Sequence, residues 1–168
     1  MSVWAGEDVA KHVKGARKIN PGGVELAPIQ VVRLPRRPIF LHGDKRGYLT
    51  NGDVVDHEKA KIKCKADGKG YYHLRPMTLY ELRFPMVKVP LTATGFCFPR
   101  STLNRLGIIK FETAVLDSGY VGEFVQSLLA LSPVLFHKDE ALVQLVFMQN
   151  MRRARVGYAG RYQGERSI

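Results

Sequence analysis

Residues 71–98 read YYHLRPMTLYELRFPMVKVPLTATGFCF, and this stretch decides the fold. Three short runs rich in β-branched and aromatic residues, Tyr71–Leu74, Leu79–Phe84 and Ala93–Phe98, are punctuated by Pro76, Pro85 and Pro90. Runs of this length closed by proline are strand signals, because proline lacks the N–H that a ladder needs. The pattern continues outward, with Val24–Leu34 before it and Gly107–Glu112, Phe124–Leu131 and Ala141–Met148 after it; Pro35, Pro38 and Pro133 mark run ends. No helical segment of 10–15 residues separates the runs, which argues for an all-β barrel or sandwich and against a βαβ fold.

The two ends and one middle stretch depart from this pattern. Val3, Trp4, Val9, Ala10 and Val13 fall at i, i+3/i+4 spacing and predict a short N-terminal helix within residues 1–18, stopped by Asn20-Pro21-Gly22-Gly23. Gly43–Gly70 is polar, contains Asn51-Gly52 and Asp67-Gly68, and reads as one or two exposed hairpins. Residues 152–168 carry glycines and tyrosines without a core pattern and read as a mobile C-terminal arm of a single domain spanning 1–168.

Composition sets the bounds. The 168 residues hold 26 Lys+Arg against 15 Asp+Glu, a net charge of +11, with 45% hydrophobic and 24% charged residues. These values describe a globular chain and exclude disordered, collagen-like and disulfide-scaffold classes. Cys64 and Cys97 are the only cysteines, which removes a Cys-rich zinc site and fits a reducing compartment. Apolar runs fall far short of the roughly 18 residues of a membrane span, and MSVWAGEDVAKH lacks a signal-peptide pattern, so a cytoplasmic location without a membrane partner is expected. The tail 147–168 has five Arg against Glu165 alone. Such charge suits nucleic acid, a polyphosphate substrate or a solvated surface, and composition does not choose among them.

The generic catalytic fingerprints are absent, and His12, His42, His57, His73 and His137 show no metal-ligand spacing. Three clusters remain. In Gly95–Gly107 a strand ends at Pro99, and Arg100, Ser101 and Thr102 offer a guanidinium and hydroxyls to phosphate oxygens; a helix N-cap is the plain alternative. In Val115–Glu123, Asp117 precedes a glycine-bearing turn that also suits an ordinary hairpin. In Leu142–Phe147 one amide, Gln144, interrupts an apolar strand and needs partners.

In order and spacing these clusters resemble the dUTPase and dCTP deaminase superfamily, most closely its archaeal dUTPase-like members. Ile19–Leu26 is similar to the early strand motif, Pro99–Leu103 to the Arg-Ser motif, Asp117–Gly122 to the Asp-x-x-Tyr/Phe-x-Gly hairpin, and Val143–Leu145 to the Ala-Gln-Leu motif. The resemblance implies a distorted, jelly-roll-type β-barrel assembled as a homotrimer, with nucleotide sites between subunits. It implies a deoxyuridine nucleotide as substrate, hydrolysed to dUMP and pyrophosphate by water that Asp117 deprotonates, with Mg²⁺ on the phosphates. Arg100, Ser101, Thr102, Gln144, Arg105 and Arg161 would hold the triphosphate, Arg161 standing where the family has a lysine. Tyr120 would pack on the deoxyribose, and backbone around Val125, Gln126 and Ser127 would read the uracil edge.

The resemblance also weighs the reaction. Deaminases of the superfamily carry a glutamate ten residues after the hairpin aspartate; here that position is Ser127, and Glu123 lies four residues away, about 13 Å along a strand. The arm Tyr158–Glu165, with Tyr158 and Tyr162, is similar to the deaminase-side Lys-Tyr-x-x-Gln arm, and Glu165 takes its Gln position. Glu25 stands where many relatives carry Asp. Two alternatives stay in view: a dCTP deaminase or bifunctional enzyme, and a non-catalytic basic β-barrel that binds nucleic acid. The second rests on charge alone, since Tyr and Phe are not interleaved as single-strand binders prefer.

Overall fold

The computed structural model describes residues 2–42, 45–111 and 115–166; Gly43 and Glu112, which bound two of the expected segments, lie outside them. Strands dominate. β1 (Lys18–Asn20), β2 (Gly23–Leu26), β3 (Gln30–Arg33), β4 (Ile39–His42), β5 (Lys45–Thr50), β6 (Asp53–Asp56), β7 (Ile62–Lys63), β8 (Tyr71–Leu74), β9 (Thr78–Lys88), β10 (Ala93–Pro99), β11 (Ile109–Phe111), β12 (Val121–Ala130), β13 (Val134–His137) and β14 (Val143–Gln149) are joined by three short helices, α1 (Gly6–Ala10), α2 (His57–Ala60) and α3 (Ser101–Arg105).

Two larger sheets, β1-β2-β14-β10 and β11-β12-β9-β3-β7, share one core. The first sheet buries Val24, Leu26, Leu145 and Phe147, the second Tyr80, Leu82, Phe84 and Leu128. Two smaller sheets, β4-β5-β6 and β13-β8, flank them. Among the described residues the strands therefore form four sheets and no closed barrel, which corrects that part of the expectation. The reason lies in the Val24–Leu34 run, which breaks at Ala27-Pro28: β2 pairs with β14 and β3 with β9, so the chain changes sheets where proline cannot donate.

Leu79–Phe84 is longer than the sequence reading gave it, because β9 continues through Pro85 to Lys88. Its register with β12 runs Val125 opposite Arg83 and then Glu123 opposite Met86, so Phe84 and Pro85 together face Phe124. A bulge of this kind takes the residue without an N–H out of the ladder.

The N-terminal helix is corrected to five residues, Gly6–Ala10. Val3 and Val13, whose spacing suggested more, instead form single bridges to Met148 and Val87, and Trp4 N–H donates to Phe147 O at 2.9 Å. The polar middle stretch forms β5–β6, turned by Asn51 (φ 51°) and Gly52 (φ 89°) in the left-handed region that such hairpin turns need, followed by α2. Among the described residues no helix is long and apolar enough to cross a membrane.

Candidate functional site

The hairpin turn after Leu116 is fastened on every side. Gly95 and Leu116 exchange backbone hydrogen bonds, Gly119 N–H donates to Val89 O at 2.9 Å, and Val89 N–H donates to Tyr120 O at 2.8 Å. Ser118 Oγ donates to Ala93 O at 2.7 Å and accepts from Asn150 Nδ2 at 2.8 Å. Gly119 supplies φ +82°, so the chain reverses and leaves the Asp117 side chain exposed. Among the described residues the Asp117 carboxylate has no hydrogen bond or ion pair.

Asp117 faces a cleft of about 470 Å³ whose lining also includes Tyr120, Val125, Tyr158, Tyr162 and Glu165. Tyr120 is buried, donates its hydroxyl to Glu123 O at 2.8 Å and meets the Tyr158 ring edge-on at 5.6 Å. Burial drives its hydroxyl pKa well above the ordinary value, so the phenol stays neutral. Gly122 makes room for this arrangement, since a Cβ there would meet Tyr120 Oη at 2.8 Å and Glu165 N at 3.1 Å.

The arm expected to be mobile is docked along β12. Tyr158 N–H donates to Ser118 O, Gly164 N–H to Val121 O at 2.7 Å, and Glu123 N–H to Glu165 O at 2.8 Å. Gln163 adds side-chain bonds to Val121 N–H and Gly119 O. The arm thus extends the sheet along the edge of β12 that β11 also pairs, at Ser127–Leu129 among the described residues. Glu165 then turns inward and accepts from Arg83 at 2.9 Å. Desolvation raises its pKa despite the nearby guanidinium.

Backbone directions along β12 follow from the ladder. Arg83 O accepts from Ile29 N–H on the β3 side, so the Arg83–Val125 pair is a non-hydrogen-bonded one. The Val125 N–H and C=O therefore point to the opposite edge, between the docked arm and β11. Gln126 lies in the ladder with Leu82, and its buried side chain accepts from Lys110 Nζ and donates to Cys97 O at 3.0 Å, away from the cleft. Ser127 sits between Phe111 and Glu81.

The Arg100 group forms a second cluster. The Arg100 guanidinium lies 3.3 Å from Glu25 Oε2 and 2.9 Å from Glu140 Oε1, and donates to Ala141 O at 2.9 Å. Gln144 opposes both Glu25 and Phe98 across its ladders. Ser101, Thr102 and Arg105 are exposed on α3. Leu116 is level with Gly95, five residues before Arg100, so this cluster sits about 16 Å along the strand from the Asp117 turn. Arg161 is exposed on the arm and is not part of the cleft lining.

Sequence reasoning missed the inner wall of the cleft: His57, Glu58, Lys61 and Glu81 line it, and buried Arg83 backs it. Lys61 Nζ bridges Glu58 at 2.6 Å and Glu81 at 2.5 Å. Glu81 and Arg83 did carry a signal, as the charged, alternate positions of the otherwise apolar LYELRF. His57, Glu58 and Lys61 carried none, because they reach the wall only through the fold of the polar middle stretch. Among the described residues no group of three or more His, Cys, Asp and Glu side chains is placed to hold a metal ion.

The geometry therefore offers a ligand a cleft at a sheet edge, lined by a carboxylate that is unpaired among the described residues and by the C-terminal arm. The family described as dCTP deaminase-like matches residues 7–150, and the chain belongs to that family. The probable deoxyuridine 5'-triphosphate nucleotidohydrolase of Aeropyrum pernix is 32% identical over 160 residues, covering 94% of this chain and 91% of that protein. The deoxyuridine 5'-triphosphate nucleotidohydrolase of Methanocaldococcus jannaschii is 33% identical over 88% of each chain. A dUMP-forming dCTP deaminase of Aquifex aeolicus is 26% identical, covering 92% of this chain and 85% of that one. The crystal structure of 2'-deoxycytidine 5'-triphosphate deaminase from Agrobacterium tumefaciens has the same fold, with a TM-score of 0.60 at 14% identity over 86% of this chain; the chain spans 46% of that protein's length.

Proposed function

We propose that this protein hydrolyses dUTP to dUMP and pyrophosphate. The observation that carries the reading is the Asp117 carboxylate, unpaired among the described residues and presented to the cleft beside Tyr120. A base needs a free lone pair within reach of the water it activates, and such a base contributes about 10²–10⁴ in rate. Asp117 takes the proton as water attacks the α-phosphorus. The Tyr120 ring carries the deoxyribose, and the Val125 N–H meets uracil O2 at the pyrimidine edge. A serine at position 127, where the deaminases have glutamate, and the dUTP nucleotidohydrolase names of relatives at 32% and 33% identity favour hydrolysis over deamination.

Arg100, Ser101, Thr102 and Gln144 bind the triphosphate in this reading, with Arg105 and Arg161 at its margin. Their distance from the Asp117 turn within one chain supports a homotrimer in which a neighbouring copy supplies them. The described residues offer no ligand cage for a divalent ion, so Mg²⁺ would be held by the triphosphate itself and would supply charge neutralisation there. The test is a product assay with dUTP and dCTP, with and without Mg²⁺. Pyrophosphate from dUTP, and a fall of about 10²–10⁴ in Asp117→Asn, are expected. Wild-type turnover in that variant, or ammonia from dCTP without pyrophosphate from dUTP, overturns the proposal.

A further inference from the structure

The inner wall of the cleft holds charged groups that hydrolysis at the phosphates does not use. Glu81 stands directly across the ladder from Ser127, so the two side chains leave the same face of the sheet. Its side chain is 9% exposed, and Oε2 is held by Lys61 Nζ at 2.5 Å. Among the described residues the buried Oε1 has no hydrogen-bond partner, although Arg83 lies 3.7 Å away, and the residue lines the cleft. A buried carboxylate oxygen without a donor is costly in a folded chain, and a ligand donor arriving from the cleft removes that cost.

Lys61 is the complement. It also lines the cleft, and its ammonium has three N–H donors, of which Glu58 and Glu81 take two. An acceptor and a donor therefore sit side by side on two residues that line the cleft. Uracil presents an N3–H donor next to its O4 acceptor. Cytosine inverts the pair, with a bare N3 beside an N4 amine.

We infer that Glu81 and Lys61 together read the N3 and C4 positions of the pyrimidine, Glu81 accepting from N3–H and Lys61 donating to O4, and so select uracil over cytosine. The inference rests on the proposed deoxyuridine nucleotide reading and names the residues that give it specificity. With cytosine, the carboxylate faces a lone pair and the ammonium faces an amine, so discrimination comes from repulsion as well as lost bonds.

The test compares binding of dUMP and dCMP by titration calorimetry, which requires no turnover. The wild-type protein is expected to prefer dUMP by at least about tenfold, and Glu81→Gln, which swaps one acceptor oxygen for a donor of the same shape, to reduce that ratio to about threefold or less. Lys61→Met is expected to weaken dUMP while leaving dCMP unchanged, and decides the matter if Glu81→Gln does not fold. An unchanged preference in a folded Glu81→Gln, no preference in the wild type, or ammonia release from dCTP that Glu81→Gln abolishes overturns the inference. A Glu81-dependent preference for dUMP in a protein that fails to release pyrophosphate from dUTP would instead sink the hydrolase reading and leave this one standing.

Discussion

Replacing Gly119 by alanine adds a methyl group where the hairpin turn touches the C-terminal arm. The new Cβ would lie 2.5 Å from Gly157 Cα, 3.1 Å from Tyr158 N and 3.2 Å from Leu91 Cδ2, and φ is +82°. Two costs separate. The left-handed backbone costs any L side chain about 1 kcal/mol, borne by the whole fold. The contact with Gly157 is backbone against side chain, so the arm must retreat by about 1 Å to reach an ordinary separation. Retreat breaks the hydrogen bond from Tyr158 N–H to Ser118 O, worth about 1 kcal/mol, and loosens the Tyr120–Tyr158 ring pair, worth a similar amount. Together they shift arm docking by about 2 kcal/mol, or about 30-fold in the undocked population. Limited trypsin digestion at low enzyme concentration reads that population through cleavage after Arg161, because cleavage is then slower than reclosing. Gly52→Ala is the control: its φ is +89° but nothing lies within 4 Å of its Cβ, so it carries only the backbone cost. Both variants are expected to lose about 2–4 °C in Tm, and only Gly119→Ala to speed cleavage. Equal cleavage rates in the two variants would show that the turn does not hold the arm.

Phe147→Ala empties a fully buried site against Trp4 and Gly95 and should cost about 3–5 kcal/mol in urea unfolding; a cost under 1 kcal/mol would mean that the two sheets do not share this core. The raised pKa of Glu165 sets a pH dependence for the arm. The docked state holds its proton more tightly than the free arm, so this contribution is fully present below the ordinary value of 4.5 and is lost as pH rises through the docked value. The Gly164 amide chemical shift should move toward the undocked position over that range, and Glu165→Gln should flatten the profile; an unchanged profile in that variant removes Glu165 as the cause.

The strands were legible because apolar runs and prolines report directly on pairing, and the hairpins because Asn51-Gly52 supplies the backbone that a tight turn requires. Three features were not. Pro85 looks like a strand end in sequence, yet a bulge opposite Phe124 lets β9 pass through it, and only the register with β12 reveals that. Val3 and Val13 fit a helical stripe, but backbone partners on β14 and β9 outcompete five-residue-scale helix propensity. The arm has no apolar pattern because it is held by backbone bonds to the edge of β12, which require no particular side chains. Asp117 and Tyr120 were found by motif, whereas His57, Glu58 and Lys61 lie in a stretch whose polarity matches that of a solvated loop.

The same wall changes the meaning of the +11 charge. At the inner end of the cleft, Glu58, Glu81 and Glu165 outnumber Lys61 and Arg83, so the excess of cations does not sit where the pyrimidine is expected. Arg100 is no free cation either, because Glu25 and Glu140 already flank it. Glu140 is 54% exposed and Glu25 11% exposed, so in the proposed reading Glu140 gives way to the phosphate at little cost while Glu25 holds the guanidinium in place. In the proposed reading the five arginines of the tail are left to raise the local concentration of the polyanionic substrate by long-range attraction. In the proposed reading overall charge thus governs approach, and the sign of individual buried groups governs what fits.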